Sequence, residues 1–297
     1  MEIPKIGEVF KAAQKILGGG NFFKAMAVNF FALLMLCAAG GVCFFLCYFT
    51  IELEAAGSLD GIIAFCAVVL YTAFCGMLSV GMAGYFVNLA RGSFAGPKDI
   101  VSGFKRSAGT NALIPFGYCL VVLPMAIFMV LLAVIMCYKG VPRISIYFLY
   151  FILIAAVTVW YIQTMLKYSM VMFIAGDSQR DKFAVTTLFR VSEKMTMGYK
   201  KRIFCLCFIM WLISGLINVV MAIAIPTISG GNAASPMAFA GAVVYVLLYL
   251  VLWVYFGTCM AVIYDALIEK YYKPKEREKS VSEVLAMYDD PEFKGLQ

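Results

Sequence analysis

The chain has 297 residues, of which 63% are hydrophobic and only 14% are charged. Soluble globular proteins carry about 25% charged residues, so this composition excludes that class and indicates an integral membrane protein. Histidine is absent, which removes the commonest general base and metal ligand and argues against an enzyme or a metal protein. The ten cysteines all lie in or beside apolar runs, where we expect them to pack as small apolar residues. No cofactor or metal site is predicted.

The segment before the first long apolar run, Ile3 to Leu17, predicts an amphipathic helix. Its apolar residues recur at helical spacing, and Glu8, Lys11, Gln14 and Lys15 fall on the other face. We expect such a helix to lie at the membrane surface.

Six uncharged runs follow, each long enough for a helix to cross the roughly 30 Å apolar layer of a bilayer. They extend approximately from Ala25 to Ile51, Gly61 to Ala90, Ala112 to Tyr138, Ile144 to Leu166, Ile203 to Ile225 and Pro236 to Tyr264. The prediction is an all-α integral membrane fold, with a six-helix transmembrane domain over residues 1–268 and a charged cytoplasmic tail over residues 269–297.

Positive charge is distributed unevenly among the connections between these runs. All of the 24 Lys and Arg residues except Lys139 and Arg143 lie at the N-terminus, in the second and fourth connections, or near the C-terminus. Basic residues that flank spans are retained in the cytoplasm. Both termini are therefore predicted to be cytoplasmic.

The sequence pattern of the N-terminal entry recurs before the fifth run. A Phe, a basic residue, a Lys and a Gly have identical spacing at Phe10, Lys11, Lys15 and Gly19 and at Phe189, Arg190, Lys194 and Gly198. A weaker version, DIVSGFKRSAGTNA, starts at Asp99 before the third run. We interpret these as three hairpins of two spans, each preceded by a cytoplasmic amphipathic helix; the alternative is that basic flanks and amphipathic linkers imitate a repeat.

Two of the predicted spans show signs of irregular geometry. Pro115 and Pro124 lie in the third span, where each removes a backbone donor and favours a kink. The fourth apolar stretch continues past Lys167 to Gly176, which is longer than a bilayer requires. We expect that helix to reach the membrane interface near Lys167 and then to bend or run along the surface.

Ionisable residues are absent from the predicted spans, which argues against a coupled ion pathway. The scattered polar residues are better explained by hydrogen bonds between helices; they are Asn29, Asn88, Thr158, Gln163, Asn218 and Thr258. Gly81 and Gly84 in the second span predict a close contact between helices.

Three carboxylates lie near the cytoplasmic ends of predicted spans, at Asp177, Asp181 and Asp265. No spacing in the sequence pairs any of them for acid–base chemistry. Asp177 is placed to cap the helix that follows it, so its predicted role is structural.

Clustered basic residues at two membrane edges are candidates for binding anionic lipid headgroups. They are Arg190, Lys194, Lys200, Lys201 and Arg202 before the fifth span, and Lys105 and Arg106 before the third. Each Lys or Arg near an acidic leaflet contributes roughly 1 kcal/mol. No soluble module accompanies them, so membrane lipid rather than nucleic acid is the predicted partner.

The stretch from Leu166 to Leu216 resembles the bacterial polytopic membrane proteins of domain-of-unknown-function family nine-seven-five. The matching residues are Tyr168, Ser169, Met170, Asp177, Ser192, Met195, Gly198, Lys200, Lys201, Phe204 and Trp211. The stretches YFVNLARGSFAGPKDIVSGFKR and AVIYDAL are similar in placement. The resemblance implies a bacterial inner-membrane protein with about six helices, and it supplies no catalytic or binding residues.

Composition and charge together favour a non-enzymatic accessory or scaffold protein of the cytoplasmic membrane, which binds anionic lipid and presents a surface to a membrane protein partner. The alternative is a transporter or exporter of a hydrophobic or peptide substrate, which requires no buried carboxylate. A cavity between the hairpins would favour transport, and a filled bundle would count against it. A lipid enzyme would need clustered carboxylates at one interface.

Overall fold

The computed structural model describes residues 4–52, 58–93, 95–105, 107–137, 143–177, 183–229 and 235–271. Within these residues all regular structure is helical. The helices are α1 (Ile6–Leu17), α2 (Asn21–Glu52), α3 (Ser58–Ala90), α4 (Pro97–Lys105), α5 (Ala108–Cys137), α6 (Arg143–Lys167), α7 (Val171–Gly176), α8 (Val185–Thr196), α9 (Lys200–Ser229) and α10 (Pro236–Tyr271).

Six helices in the described part of the chain are long and apolar enough to cross a membrane, which confirms the predicted all-α membrane fold. Their outer surfaces carry large apolar side chains such as Phe44, Phe65 and Trp211, each about 70% exposed. In a bilayer, lipid chains cover this apolar surface. The predicted tail boundary at residue 269 falls inside α10, and residues 272–297 lie outside the described residues.

A short helix precedes each pair of long helices, as the sequence predicts. The three units are α1 with α2 and α3, α4 with α5, α6 and the short α7 that continues α6 after a bend, and α8 with α9 and α10. The long helices of each pair are in contact with each other, so each unit is a hairpin.

The first and third units correspond in local detail. Helices α1 and α8 both have 12 residues. Each turn that follows contains a glycine in the left-handed region, Gly19 at a φ of 63° and Gly198 at 83°, a conformation that glycine adopts without strain. Tyr85 of α3 and Tyr264 of α10 are separated by the same number of residues as Gly19 and Gly198. Both tyrosines are fully buried. The correspondence therefore extends from the entry turn into the hairpin.

The apolar face of α1 is covered by protein. Val9, Ala13 and Leu17 are buried, and α1 packs mainly on α10. On the opposite face Lys11 and Lys15 are exposed.

Helix α3 is the centre of the bundle and contacts α1, α2, α4, α5, α7 and α10. Two glycines allow this crowding. A Cβ atom on Gly81 would collide with the Ile100 carbonyl of α4, and one on Gly84 would come within 2.6 Å of the Gly176 carbonyl oxygen of α7. The close helix contact predicted for Gly81 and Gly84 is therefore confirmed.

Helix α5 runs unbroken through both Pro115 and Pro124. Pro115 cannot donate to the Asn111 carbonyl one turn earlier. That carbonyl oxygen lies against Gly76 of α3, where a Cβ atom would come within 2.7 Å of it. Close packing on α3 therefore covers the position where the proline breaks the hydrogen-bond ladder.

The fourth apolar stretch bends at Lys167, as predicted, since α6 ends there and α7 begins at Val171. The segment after the bend does not follow the surface, because Met170 and Val171 are fully buried. Ser192 of α8 holds the bend: its Oγ donates to the Lys167 carbonyl at 2.9 Å and accepts from the Met170 amide at 3.2 Å.

Five of the six polar residues named in the spans, all except Gln163, divide into two groups. Asn88 donates to Asp99 of α4, and Asn218 of α9 accepts from Tyr245 of α10 at 2.7 Å, so both connect different helices. The side chains of Asn29, Thr158 and Thr258 instead donate to carbonyls one turn earlier in their own helices, so the prediction of bonds between helices is wrong for these three.

Candidate functional site

The N-terminal ends of α2, α5 and α9 and the C-terminal ends of α3, α6 and α10 lie at the same end of the bundle. We call this end of the bundle the basic end, because lysines and arginines among the described residues flank these six helix ends. The short helices α1, α4 and α8 pack against it.

At the basic end, a buried arginine binds two carboxylates. Arg91 donates through Nη1 and Nη2 to the two carboxylate oxygens of Asp177, at 2.8 and 2.9 Å. Its Nε donates to Oδ1 of Asp265 at 2.8 Å. The Tyr264 hydroxyl donates to Oδ2 of Asp177 at 3.1 Å. We call these four residues the Arg91 centre.

Each hairpin contributes one charged residue to the Arg91 centre. Arg91 directly follows α3, Asp177 follows α7 at the end of the second unit, and Asp265 lies in the last turns of α10. The contact between Gly84 and Gly176 brings the end of α7 against α3. The Arg91 centre therefore joins the C-terminal ends of all three units.

The three charged residues of the Arg91 centre are shielded from solvent to different degrees. The side chain of Asp177 is 1% exposed, that of Arg91 12% and that of Asp265 35%. Burial alone would lower the pKa of Arg91, but the hydrogen bonds to Asp177 and Asp265 more than offset this effect and raise it above its ordinary value. Arg91 therefore remains positively charged, and the bidentate geometry is the strong form of an arginine–carboxylate pair.

This geometry is that of a structural connection rather than of a general base. Both oxygens of Asp177 already accept hydrogen bonds from Arg91, so neither is directed at a substrate. Removing one partner of such a buried pair leaves an uncompensated charge. The Arg91 centre therefore holds three helix ends at fixed positions. Elsewhere, the described residues contain no group of three or more His, Cys, Asp or Glu that could hold a metal ion.

One sequence prediction about the carboxylates is wrong, and one contact was not anticipated. Asp177 and Asp265 are brought together by Arg91, although the sequence offered no partner for either. Asp177 also does not cap the following helix, because the N-cap residue of α8 is Ala184 and it has no side-chain capping bond. Asp181 lies outside the described residues.

Sequence reasoning missed the Arg91 centre because its members are distant in sequence and adjoin the predicted span ends. Asp177 is 86 positions from Arg91, and Asp265 is 174 positions from it. Arg91 and Asp265 each directly follow a predicted span end, at Ala90 and Tyr264, where charge normally marks a boundary. The usable signal was that a charged residue follows the apolar stretch of the second span in each hairpin, once the fourth stretch is followed past Lys167 to Gly176.

The lipid-headgroup candidates lie at the basic end but differ in exposure. Lys105, Arg190 and Lys201 are exposed, whereas Lys194, Lys200 and Arg202 are half-buried. Lys194 and Arg202 also interact with other groups of the protein. Arg106 lies outside the described residues. The candidates on α8 and on the first turn of α9 are adjacent along the chain, while Lys105 ends α4.

An apolar cavity of about 590 Å³ is the second notable feature. Helices α2, α3, α7 and α10 line it, and it is open to the outside of the bundle; Asn29, Met82, Phe173 and Trp253 are among its lining residues. None of the described residues that line it is an Asp, Glu, Lys or Arg. All three units thus contribute a wall, as they do at the Arg91 centre.

Comparison with protein-family models, with curated proteins and with solved structures finds no match to this chain. The Arg91 centre combines the three stretches on which the sequence resemblance depends. Arg91 lies in YFVNLARGSFAGPKDIVSGFKR, Asp177 in the stretch from Leu166 to Leu216, and Tyr264 and Asp265 in AVIYDAL.

Proposed function

We propose that this chain is a non-enzymatic scaffold or accessory protein of the bacterial cytoplasmic membrane, whose rigid basic end binds anionic lipid headgroups. Both termini are cytoplasmic in this proposal. The bacterial assignment follows the resemblance to the family of unknown function. The orientation follows the concentration of Lys and Arg at the basic end.

One observation carries the proposal: exposed cations project from a basic end that internal contacts hold together. Lys105, Arg190 and Lys201 are exposed on three different helices. The helices behind them are joined by the Arg91 centre and by Ser192 at the bend. Cations on a fixed frame lose less entropy when they bind headgroups than cations on a flexible segment.

The test is binding of short-chain phosphatidylglycerol to the purified protein in uncharged detergent, with phosphatidylcholine as the neutral comparison. We expect the anionic lipid to bind more tightly than the neutral one. Added salt should weaken its binding, because the attraction is electrostatic. The variant Lys105→Gln/Arg190→Gln/Lys201→Gln should bind phosphatidylglycerol at least about tenfold more weakly, since each cation contributes roughly 1 kcal/mol.

Lys139→Gln/Arg143→Gln is the matched control, because these are the two basic residues assigned to the opposite side of the membrane. It removes positive charge without touching the basic end and should leave phosphatidylglycerol binding unchanged. Equal affinity of the native protein for the two lipids would refute the proposal. Weakening by the two sets in proportion to the charges they remove, three against two, would reduce the effect to net charge.

A second candidate function, transport of a hydrophobic substrate, is favoured by the cavity between the three units. Its lining is apolar and uncharged, which suits an uncharged substrate and no coupled ion. Transfer of a fluorescent fatty alcohol between the leaflets of proteoliposomes would test it. Transfer no faster than in protein-free vesicles would remove this candidate.

A further inference from the structure

We propose that a pocket at the basic end, between the start of α2 and the segment that joins α3 to α4, holds the headgroup of one anionic phospholipid. The inference rests on the proposed function and deepens it, since it gives one lipid molecule a defined place. The residues of this pocket are separate from Lys105, Arg190 and Lys201, on which the proposed function depends. The two proposals can therefore fail independently.

The pocket has the size of a headgroup site. Asn21, Lys24 and Ala27 of α2 line one side, and Ser93 and Gly96 of the joining segment line the other. Its volume of about 590 Å³ lies within the roughly 300–1,000 Å³ of small-molecule pockets. At about 30 Å³ for a water-sized group it holds about 20 such groups, which accommodates a phosphoglycerol headgroup and the glyceryl part next to it.

Lys24 gives the pocket a positive charge. Its side chain is exposed, and none of the described residues that line the pocket is an Asp or Glu. Within the described part of the chain, no ion pair involves Lys24. The neighbouring Asp99 already accepts hydrogen bonds on both oxygens, from Asn88 at 3.1 Å and from the Gly96 amide at 2.9 Å. The charge of Lys24 therefore favours an anionic ligand.

The rim of the pocket supplies hydrogen-bond donors that suit a phosphate group. Lys24 carries three N–H donors, and the exposed Ser93 carries a hydroxyl. Asn21 donates one amide hydrogen to the Ile16 carbonyl at 3.0 Å, which leaves its second. Tyr85 lies beneath the pocket and is fully buried, so its hydroxyl takes no part in this contact. Charge-assisted bonds from an ammonium to phosphate oxygens are stronger than neutral ones.

A phospholipid fits this pocket better than a free phosphate, because the α2 wall continues into the bilayer as apolar surface. Ala27 and Val28 line the pocket one turn beyond Lys24. Phe31 and Leu34 follow on the same helix face and are 46% and 51% exposed. A lipid whose phosphate lies at Lys24 can therefore lay its chains along this face.

A single tryptophan below the pocket provides a local reporter. The native Trp160, Trp211 and Trp253 are all exposed, so each can be replaced by Phe without repacking the core. In that background, Phe31→Trp places one indole about 10 Å along α2 from Lys24. Its quenching in mixed vesicles is compared for phosphatidylglycerol and phosphatidylcholine, each brominated on its chains.

The reporter at position 31 should select phosphatidylglycerol over phosphatidylcholine about fivefold, as one cation near the headgroup implies. Phe239→Trp in the same background is the control reporter, because Phe239 is 73% exposed at the start of α10, the end of that helix far from the basic end. It should show no selection. Equal quenching by the two lipids at position 31 would refute the pocket.

Lys24→Gln tests the charge within the reporter protein and should remove the selection at position 31. Lys15→Gln is the matched control, since Lys15 is exposed at the basic end on α1 but does not line the pocket. It should leave the selection unchanged. The same loss in both variants would mean that general surface charge attracts the lipid.

Ala27→Phe tests the shape of the pocket without changing its charge. Ala27 is exposed and lines the pocket, so a larger side chain there narrows it without disturbing the core. The variant should remove the selection at position 31. Ala222→Phe on α9, which is exposed and outside the pocket, should not. Unchanged selection in Ala27→Phe would place the headgroup elsewhere.

Glycerol 3-phosphate distinguishes a lipid site from a site for soluble phosphate, because it carries the phosphate without chains. It should reduce the selection no more than sodium chloride of equal ionic strength does. A larger reduction would overturn the assignment to lipid.

The variant Lys105→Gln/Arg190→Gln/Lys201→Gln separates this inference from the proposed function. In the reporter protein it should keep the selection at position 31, even though it weakens total phosphatidylglycerol binding. Loss of that selection would refute the pocket and leave the proposed function standing. Selection that depends on Lys24, in a protein whose total binding ignores the three substitutions, would support the pocket and refute the assignment of those three cations.

Discussion

Arg91 and Asp177 form a bidentate ion pair between the first and second hairpins, with the aspartate side chain 1% exposed. The pair lies where α3, the central helix, meets the end of α7. Such a pair specifies position more than it adds stability, since a buried ion pair is strongly desolvated and shows its importance chiefly when one partner is lost. It fixes the register between hairpins that also meet at close glycine contacts.

Removing either partner of this pair should therefore destabilise the bundle. Asp177→Asn leaves the Arg91 charge only partly compensated, and we expect a loss of about 3 kcal/mol or more. Asp265→Asn should have a smaller effect, about 1 kcal/mol or less, because Asp265 is 35% exposed. Thermal unfolding in detergent, followed by circular dichroism, measures both. A larger effect from Asp265→Asn would contradict the ranking.

Arginine itself, and not only its charge, should be required at position 91. Arg91→Lys keeps the charge but cannot form two parallel bonds to Asp177 while also reaching Asp265. We expect it to lower the unfolding temperature nearly as much as Arg91→Gln does. Full rescue by lysine would mean that charge alone holds the helix ends.

The glycines of the central helix should tolerate no added methyl group. Gly81→Ala places a Cβ atom against the Ile100 backbone, and Gly84→Ala places one against Gly176. Backbone cannot retreat as a flexible side chain can, so each substitution should markedly lower the yield of folded protein. Gly41→Ala and Gly215→Ala are matched controls, since both glycines are helical with nothing within 4 Å of an added Cβ. These two should be neutral or slightly stabilising, because alanine favours helix.

The helices of this fold could be predicted from the sequence more completely than the Arg91 centre. Length and hydropathy predict six spans, and the matching spacing around Gly19 and Gly198 predicts two corresponding entries, because both signals are local. The Arg91 centre depends on contacts between hairpins, which no local pattern encodes. The cavity is harder still to predict, because it is the space that side chains from three units leave unfilled.

Topology can be tested at the third connection. If both termini are cytoplasmic, Lys139 faces the outside, because three spans precede it. In a variant whose native cysteines are replaced, Lys139→Cys should react with an impermeant thiol reagent in intact cells. A cysteine at Lys201 should react only after lysis. The reverse pattern would invert the orientation and place the basic end outside.

The bend after α6 should depend on the hydroxyl of Ser192. Its Oγ accepts the Met170 amide and donates to the Lys167 carbonyl, and Met170 is fully buried. Ser192→Ala would leave the buried amide without a partner, which costs about 1–3 kcal/mol. Thr186→Ala on the same helix is the matched control, since Thr186 is exposed and its loss should be within about 0.5 kcal/mol of neutral. Local amide exchange should show faster exchange at Met170 only in Ser192→Ala. Unchanged exchange there would mean that packing alone holds α7 in place.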